Sequence, residues 1–444
     1  MAVKTRIAPS PTGRFHIGTA RTALFNYLFA KHEGGSFAIR IEDTDKERSK
    51  VEYETEILEG LAWLGLEADE IVRQSERVTR HAALLATLIE EGKAYVSKEE
   101  GKNQPGTWVE VVRLKNPGRQ ITFRDEVRGD ITFDTGELGD FVIARSIADP
   151  LYHFAVVADD MDMGVTHVIR GEDHISNTPR QILIQEALGA TRPLYAHLPL
   201  IVDEKRAKLS KRSGATSVMD YRDEGILPEA LDNYLALLGW NPGDDREDFS
   251  LAQLASEFTL DGIQKSGAAW DREKLLSVNQ RWMRKLDDAD YARRVHGMGG
   301  FDAETLHKTI PLLKERARTF REAHAMLSSE LSCLFTAPSL TREALLAKEP
   351  IDRPGTAKKG LKRALEALGS LPDGVSTEAA KEALMPLADA EEAKGKGGRG
   401  GVLWPLRYAL SGQERSPDPF TLISILGPGI SAERIRTALG ILGG

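Results

Sequence analysis

The sequence predicts an α/β protein: a parallel sheet, a small inserted piece containing antiparallel β-structure, and an all-α C-terminal region. Three patterns predict it. Strand-like and helix-like segments alternate at the start of the chain, and short β runs broken by glycine and proline fill residues 92–150. After residue 225, apolar residues recur three and four apart.

Taken in order, residues 3–8 read as a strand. The turn-rich Pro9-Ser10-Pro11-Thr12-Gly13 follows, then a helix over 18–32 in which Ala20, Leu24 and Leu28 recur at helical spacing. Gly34-Gly35 is expected to end that helix as a flexible cap. Residues 37–42 alternate as a second strand, and 51–64 read as an amphipathic helix. Within the insertion, 107–114, 120–123, 131–134 and 140–145 are β-like. The α/β pattern resumes with a strand over 165–170, a helix near 179–188 and a strand-like 198–202. Helices are expected over 227–238, 306–331 and 361–367, with residues 394–401 a mobile loop.

Composition excludes several classes. The 444 residues supply material for about three packed units, and 41% hydrophobic with 28% charged residues is globular composition. A net charge of −8 argues against indiscriminate coating of nucleic acid, while leaving room for a local basic face toward RNA. The single cysteine, Cys333, excludes an internal disulfide and leaves too few thiolates for a cysteine zinc cluster. Residues 1–7 hold no apolar core of leader length, and no apolar run nears the roughly 18 residues a membrane span needs. A cytoplasmic protein without a membrane partner is the expectation.

Two motifs carry chemistry. The first, Pro9-Ser10-Pro11-Thr12-Gly13-Arg14-Phe15-His16-Ile17-Gly18-Thr19, sits where a strand ends and a helix begins, so free backbone N–H groups and the helix dipole can receive phosphate. Gly18 lets a ligand ring approach the backbone, and His16 can donate to a phosphoryl oxygen as charge builds. The second, Lys208-Leu209-Ser210-Lys211-Arg212-Ser213-Gly214, is a short basic segment able to fold over a triphosphate. Alone, a His-x-Gly is usually a turn histidine and a basic run usually a solvated face. No G-x-x-x-x-G-K-[ST] loop occurs, so nucleotide chemistry here needs another device.

Together and in this order, the two motifs resemble the signatures of class I aminoacyl-tRNA synthetases. Arg6-Ile7-Ala8-Pro9-Ser10-Pro11-Thr12-Gly13, Ala23-Leu24-Phe25-Asn26-Tyr27 and Arg40-Ile41-Glu42-Asp43-Thr44-Asp45 narrow the likeness to the glutamyl-tRNA synthetase family. Gly164-Val165-Thr166-His167-Val168-Ile169-Arg170 and Leu227-Pro228-Glu229-Ala230-Leu231 extend it, and Trp404-Pro405-Leu406-Arg407 resembles the family's C-terminal pattern.

That resemblance implies a Rossmann-like catalytic domain over 1–91 and 150–205, with an inserted acceptor-end-binding domain over 92–149. A stem-contact region with the phosphate loop would span 206–290, and a helical anticodon-binding region 291–444. It implies ATP with Mg2+, L-glutamate, tRNA(Glu) as partner with tRNA(Gln) left open, no zinc, and a monomer. Pro9, His16, Gly18, Thr19, Lys208, Leu209, Ser210, Lys211 and Arg212 would bind ATP, with His16, Gly18 and Lys211 acting in catalysis. Arg6, Ala8, Ser10, Glu42, Tyr152 and Arg170 would bind glutamate, the arginines supplying planar donors to its carboxylate. Arg316 is the candidate anticodon reader, and Arg281, Arg284 and Lys285 beside Trp282 are candidates for the inner part of the tRNA. The chain departs from the family at Thr19, where class I members carry a second histidine, and at Val156, where asparagine is frequent.

Four other readings compete, the weakest a pure RNA-binding module, which would leave both phosphate motifs and the pocket residues idle. Glutaminyl-tRNA synthetases usually read the anticodon with β-barrels, which the helical tail disfavours. A truncated relative that modifies a tRNA base lacks the anticodon module. A small-molecule nucleotidylyltransferase shares the phosphate chemistry and leaves the tail without a role.

Overall fold

A computed structural model describes residues 2–100, 107–203, 217–395 and 397–443. The chain forms two compact units, Met1–Asn279 and Gln280–Gly444.

The first unit opens with β1 (Lys4–Ile7), α1 (Ile17–His32), β2 (Ser36–Ile41), α2 (Val51–Trp63), β3 (Glu70–Arg73) and α3 (Val78–Glu90). β1 pairs with β2 and β2 with β3, both in parallel. β2 is buried along almost its whole length, as expected of a parallel strand covered on both faces. α1 follows the same logic: it packs against β1 and two later helices, so it buries residues on most sides instead of one stripe. The Gly34-Gly35 cap is pinned: Gly35 N–H donates to Ala30 O at 2.8 Å, and a Cβ on Gly35 would lie 2.2 Å from Val3 O.

The insertion has two parts. β4 (Ala94–Glu100), β5 (Trp108–Leu114), β8 (Phe141–Ser146) and β9 (Asp149–Pro150) form an antiparallel sheet in that order. Between β5 and β8, the antiparallel hairpin of β6 (Gln120–Asp125) and β7 (Gly129–Asp134) instead joins the main sheet. After α4 (Tyr152–Asp162), the strand β10 (His167–Gly171), helix α5 (Thr178–Leu188) and strand β11 (Leu194–Leu198) complete the doubly wound part. β10 pairs in parallel with β11, and Tyr195 of β11 pairs with Asp125 of β6. Thr166 N–H donates to Lys4 O at 3.0 Å, seating β10 beside β1. The order β3-β2-β1-β10-β11 therefore reverses between β1 and β10, where a crevice opens at the strands' carboxyl ends.

One strand lies earlier than its sequence suggested. The ladder is Leu194–Leu198, Pro199 ends it for want of an N–H, and only the short β12 (Ile201–Val202) follows. β12 pairs with β13 (Ala268–Ala269), across α6 (Val218–Glu224), α7 (Pro228–Leu237) and α8 (Leu251–Glu257). The core of this unit gathers Leu85 and Leu88, Phe154 and Val157, Ile182 and Tyr195 between the sheet and α3, α4 and α5.

α9 (Arg272–Lys285) leads into the second unit, all helical among its described residues: α10 (Asp288–His296), α11 (Ala303–Arg316), α12 (Phe320–Ser328), α13 (Arg342–Leu346), α14 (Thr356–Leu368), α15 (Thr377–Glu392), α16 (Gly398–Ser411) and α17 (Pro419–Ile441). The single helix expected over 306–331 is two, because Ala317 is extended and Thr319 caps α12 by accepting from Glu322 N–H. The loop expected over 394–401 is only partly one. α16 begins at Gly398, where a Cβ would meet Glu391 O at 2.2 Å, and Arg353 donates to the carbonyls of Glu391 and Gly395 at 2.9 Å.

Candidate active site

The crevice at the sheet reversal is a cleft of about 1480 Å³. Arg6, Ala8, Pro9 and Ser10 reach it from the end of β1, His16, Gly18 and Thr19 from the start of α1, Glu42 from the end of β2, Tyr152 from α4 and Arg170 from β10. Every described residue expected to bind nucleotide or glutamate thus lines one cavity. Lys208, Leu209, Ser210, Lys211 and Arg212 lie outside the described residues.

One end of the cleft is suited to anions. His16 is extended (φ −83°, ψ 150°), α1 has no side-chain cap and no acidic residue in its first turn, and its first amides remain available to a ligand. A Cβ on Gly18 would meet nothing within 4 Å, so this turn faces open space. The chain returns from the undescribed segment beside it: Ser217 bridges His16, and Val218 N–H donates to Phe15 O at 2.9 Å. Glu56 of α2 fastens this junction by accepting from Phe15 N–H at 3.1 Å, from Arg14 Nε at 3.1 Å and from the Ser217 hydroxyl.

The other end is a buried charge cluster. Arg6 holds Asp160 through two bonds, Nε to Oδ1 at 3.0 Å and Nη2 to Oδ2 at 3.2 Å. Arg40, fully buried, also pairs with Asp160 and donates from Nη2 to Glu42 Oε1 at 3.1 Å. Burial raises the Asp160 carboxyl, but Arg40 and Arg6 outweigh it and bring its pKa down to about 2. For Glu42 the balance is reversed: burial outweighs Arg40 and the carboxyl is raised. Tyr152 stands at the rim with its hydroxyl 3.3 Å from His174 Nδ1, and burial, with Glu42 nearby, pushes it up to about 12.

Arg170 differs from its neighbours. It is buried, yet its partners are neutral: His197 Nε2 at 3.1 Å, Gln181 Oε1 at 2.7 Å and Thr178 Oγ1 at 2.9 Å. Among the described residues no carboxylate forms an ion pair with it, and burial lowers its pKa. The three arginines of this cluster face two carboxylates, Asp160 and Glu42, leaving one positive charge in excess. A buried cation without a counter-ion is costly, so this position is poised for an anionic ligand.

Several partners escaped sequence reading. Arg40 shares a strand face with Glu42, and the period of two was available as a signal. Asp160 lies 154 residues from Arg6 and Asp125 lies 72 from His197, so only folding brings them together. Arg21, buried one turn beyond Gly18, ties α1 to the carbonyls of Pro199 and Leu238. Val156 is buried in α4, one turn beyond Tyr152.

In the second unit, Arg316 ends α11, half-exposed and 3.8 Å from Glu330. Arg284 donates to the carbonyls of Lys314 (3.0 Å) and Glu315 (3.1 Å), a structural cap for that helix end, and Lys285 lies 4.6 Å over the Trp282 ring.

Comparison with known proteins agrees with this fold. The model of the class I tRNA synthetase (E and Q) catalytic domain matches residues 2–107 and 98–277, and that of an anticodon binding domain matches 274–439. A glutamate–tRNA ligase of Rubrobacter xylanophilus is 42% identical over 98% of both chains, and one of Alkalilimnicola ehrlichii 39% identical over 98% of both. The crystal structure of a glutamate tRNA ligase from Elizabethkingia meningosepticum, in complex with its amino acid, superposes with a TM-score of 0.86 at 31% identity over the whole of both chains. With its reversal-point cleft, excess buried cation and helical C-terminal unit, the chain belongs to the glutamate–tRNA ligase family of class I aminoacyl-tRNA synthetases.

Proposed function

We propose that this chain activates L-glutamate with ATP and transfers it to the terminal ribose of tRNA(Glu). The observation that carries the reading is Arg170, a buried guanidinium with neutral partners, in the same cleft as an uncapped helix N-terminus. The substrate's side-chain carboxylate supplies the missing counter-charge at Arg170, with Arg6 beside it. Glu42 accepts from the ammonium group through the carboxylate oxygen that Arg40 leaves over, and Tyr152 and Ser10 bound the amino acid. The α-carboxylate oxygen then attacks the α-phosphorus of ATP and pyrophosphate leaves. Next, a ribose hydroxyl of the tRNA attacks the acyl carbon of glutamyl-adenylate and AMP leaves.

At the other end, the α1 amides, His16 and Gly18 hold the nucleotide, and Lys211 with Lys208 neutralises the departing phosphates. Two flanking features support that role: Ile201 lines the cleft and Ser217 pairs with His16. Among the described residues no cluster of three or more His, Cys, Asp or Glu side chains could hold a metal. Magnesium, when bound with ATP, would be held chiefly by the phosphates and would help neutralise them as pyrophosphate leaves. The enzyme acts as a monomer in the cytoplasm.

Aminoacylation with labelled glutamate and separately transcribed tRNA(Glu) and tRNA(Gln) tests this. Charging of tRNA(Glu) is the expected result, and charging of tRNA(Gln) as well would identify a relaxed reader. Failure with both sinks the proposal.

A further inference from the structure

Arg170 has an anchor of its own. Its Nε donates to His197 Nε2 at 3.1 Å, and His197 Nδ1 lies 2.6 Å from Asp125 Oδ2. All three side chains are buried, at 6%, 0% and 1% exposure. A histidine between an arginine and a carboxylate has only one consistent arrangement. An arginine offers donors only, so Nε2 must carry the lone pair, and an ionised carboxylate accepts only, so Nδ1 must carry the proton. Asp125 is itself fixed, accepting the backbone N–H groups of Val127 (3.0 Å), Arg128 (2.8 Å) and His197 (3.1 Å). It comes from the end of β6, on the hairpin that the insertion lends to the main sheet.

The engagement of Nε selects how Arg170 can meet a ligand. A guanidinium binds carboxylate through two parallel N–H donors, from either the Nε–Nη2 edge or the Nη1–Nη2 edge. His197 occupies the first edge. Nη1 spends one donor on Gln181 and carries a second; Nη2 donates to Thr178 at 2.9 Å and, through a long and weak bond of 3.5 Å, to the His174 carbonyl, which a substrate carboxylate would have to displace.

We propose that Asp125 and His197 are positioning residues for amino-acid selection. The carboxylate holds His197 as its Nδ1–H tautomer, and the bare Nε2 then locks Arg170 so that its Nη1–Nη2 edge receives the substrate's side-chain carboxylate. This rests on the proposed role of Arg170.

The test compares steady-state aminoacylation at saturating tRNA(Glu) in His197→Phe, His197→Gln and Arg170→Ala. His197→Phe removes the acceptor; the KM for glutamate is expected to rise tenfold or more, with the KM for ATP and kcat within about twofold. His197→Gln puts a carbonyl oxygen near the Nε2 position and is expected to restore most of the glutamate KM. Histidine-selective 15N NMR on the wild-type protein, assigned by the signal lost in His197→Gln, should show Nδ1 protonated and Nε2 bare at pH 7. Parallel rises in both KM values, an unchanged glutamate KM, no rescue by glutamine, or a protonated Nε2 would each overturn the proposal; the NMR result stands even if the phenylalanine variant does not fold. An unchanged glutamate KM in Arg170→Ala would overturn the role of Arg170 itself. A raised one beside an unaffected His197→Phe would remove only the positioning pair.

Discussion

Gly18 occupies the first turn of α1 with open space where a Cβ would point. Gly18→Ala should therefore fold as the parent does, since alanine suits a helix and meets no neighbour. The same methyl enters the space proposed for the nucleotide, so the expected outcome is an unchanged melting temperature and a KM for ATP raised at least tenfold. A falling melting temperature would instead mean that the glycine serves the backbone. His153, on α4, makes a different prediction. Burial, then the charges of Arg180 and Arg170, bring its pKa from 6.5 down to about 4. The unfolded chain then binds the proton first as pH falls, so folded-state stability is full above about pH 6.5 and lost progressively toward pH 4. His174, also near 4, acts in the same window, whereas Asp160, near 2, adds its loss only below about pH 4. In urea unfolding, His153→Asn should lose less stability than the parent between pH 7 and pH 5. An equal loss would show that His153 is not buried in its neutral form.

At the scale of elements, α2 determines where the nucleotide motif sits. Phe15 is buried on it, and a Cβ on Gly60 would come within 2.5 Å of the Phe15 ring. Glu56, one helical turn earlier, ties down Phe15 N–H, Arg14 and Ser217. Gly60→Ala is thus expected to destabilise the fold by about 1–3 kcal/mol through overpacking. Because Phe15 adjoins His16, it should also lower ATP turnover in the fraction that remains folded. Urea unfolding with turnover per folded molecule checks both, and a neutral stability effect would show that Phe15 swings away freely. The α17 helix shows a local break of its own: Pro428 disfavours helical ψ at the residue before it, and Gly427 there adopts a positive φ open to glycine (φ 79°, ψ 161°).

At the scale of the molecule, the two compact units divide the proposed work, with amino-acid and nucleotide chemistry in the first and base reading in the second. Arg316 belongs to the second, and its guanidinium is only 3.8 Å from one carboxylate at a half-exposed site. If it reads a tRNA base, Arg316→Ala removes a contact of about 1–3 kcal/mol. The KM for tRNA should then rise about tenfold, while those for glutamate and ATP at saturating tRNA stay unchanged. A rise in all three would mean that the substitution disturbs the helix end that Arg284 caps.

Much of this was legible before folding was considered. The strand–turn–helix around His16 and Gly18, the presence of a strand at β2 and the helical tail are local patterns, set by residues within a few positions of one another. Pro9, Ser10, His16, Gly18 and Thr19 of the first motif, together with Glu42, Tyr152 and Arg170, could be named from the sequence, and they share one cleft. What the sequence hid was non-local. Pro199 moved a strand, Thr319 split a helix, and the hairpin of β6 and β7 left its insertion for the main sheet. Above all, Arg6 and Arg170 look alike as letters, yet tertiary structure pairs Arg6 with Asp160 and surrounds Arg170 with neutral acceptors. Local propensity lies in neighbouring residues and can be read from them. The charge balance of a buried site depends on groups separated by as many as 154 positions in the chain, and only the packed fold brings them within hydrogen-bonding distance.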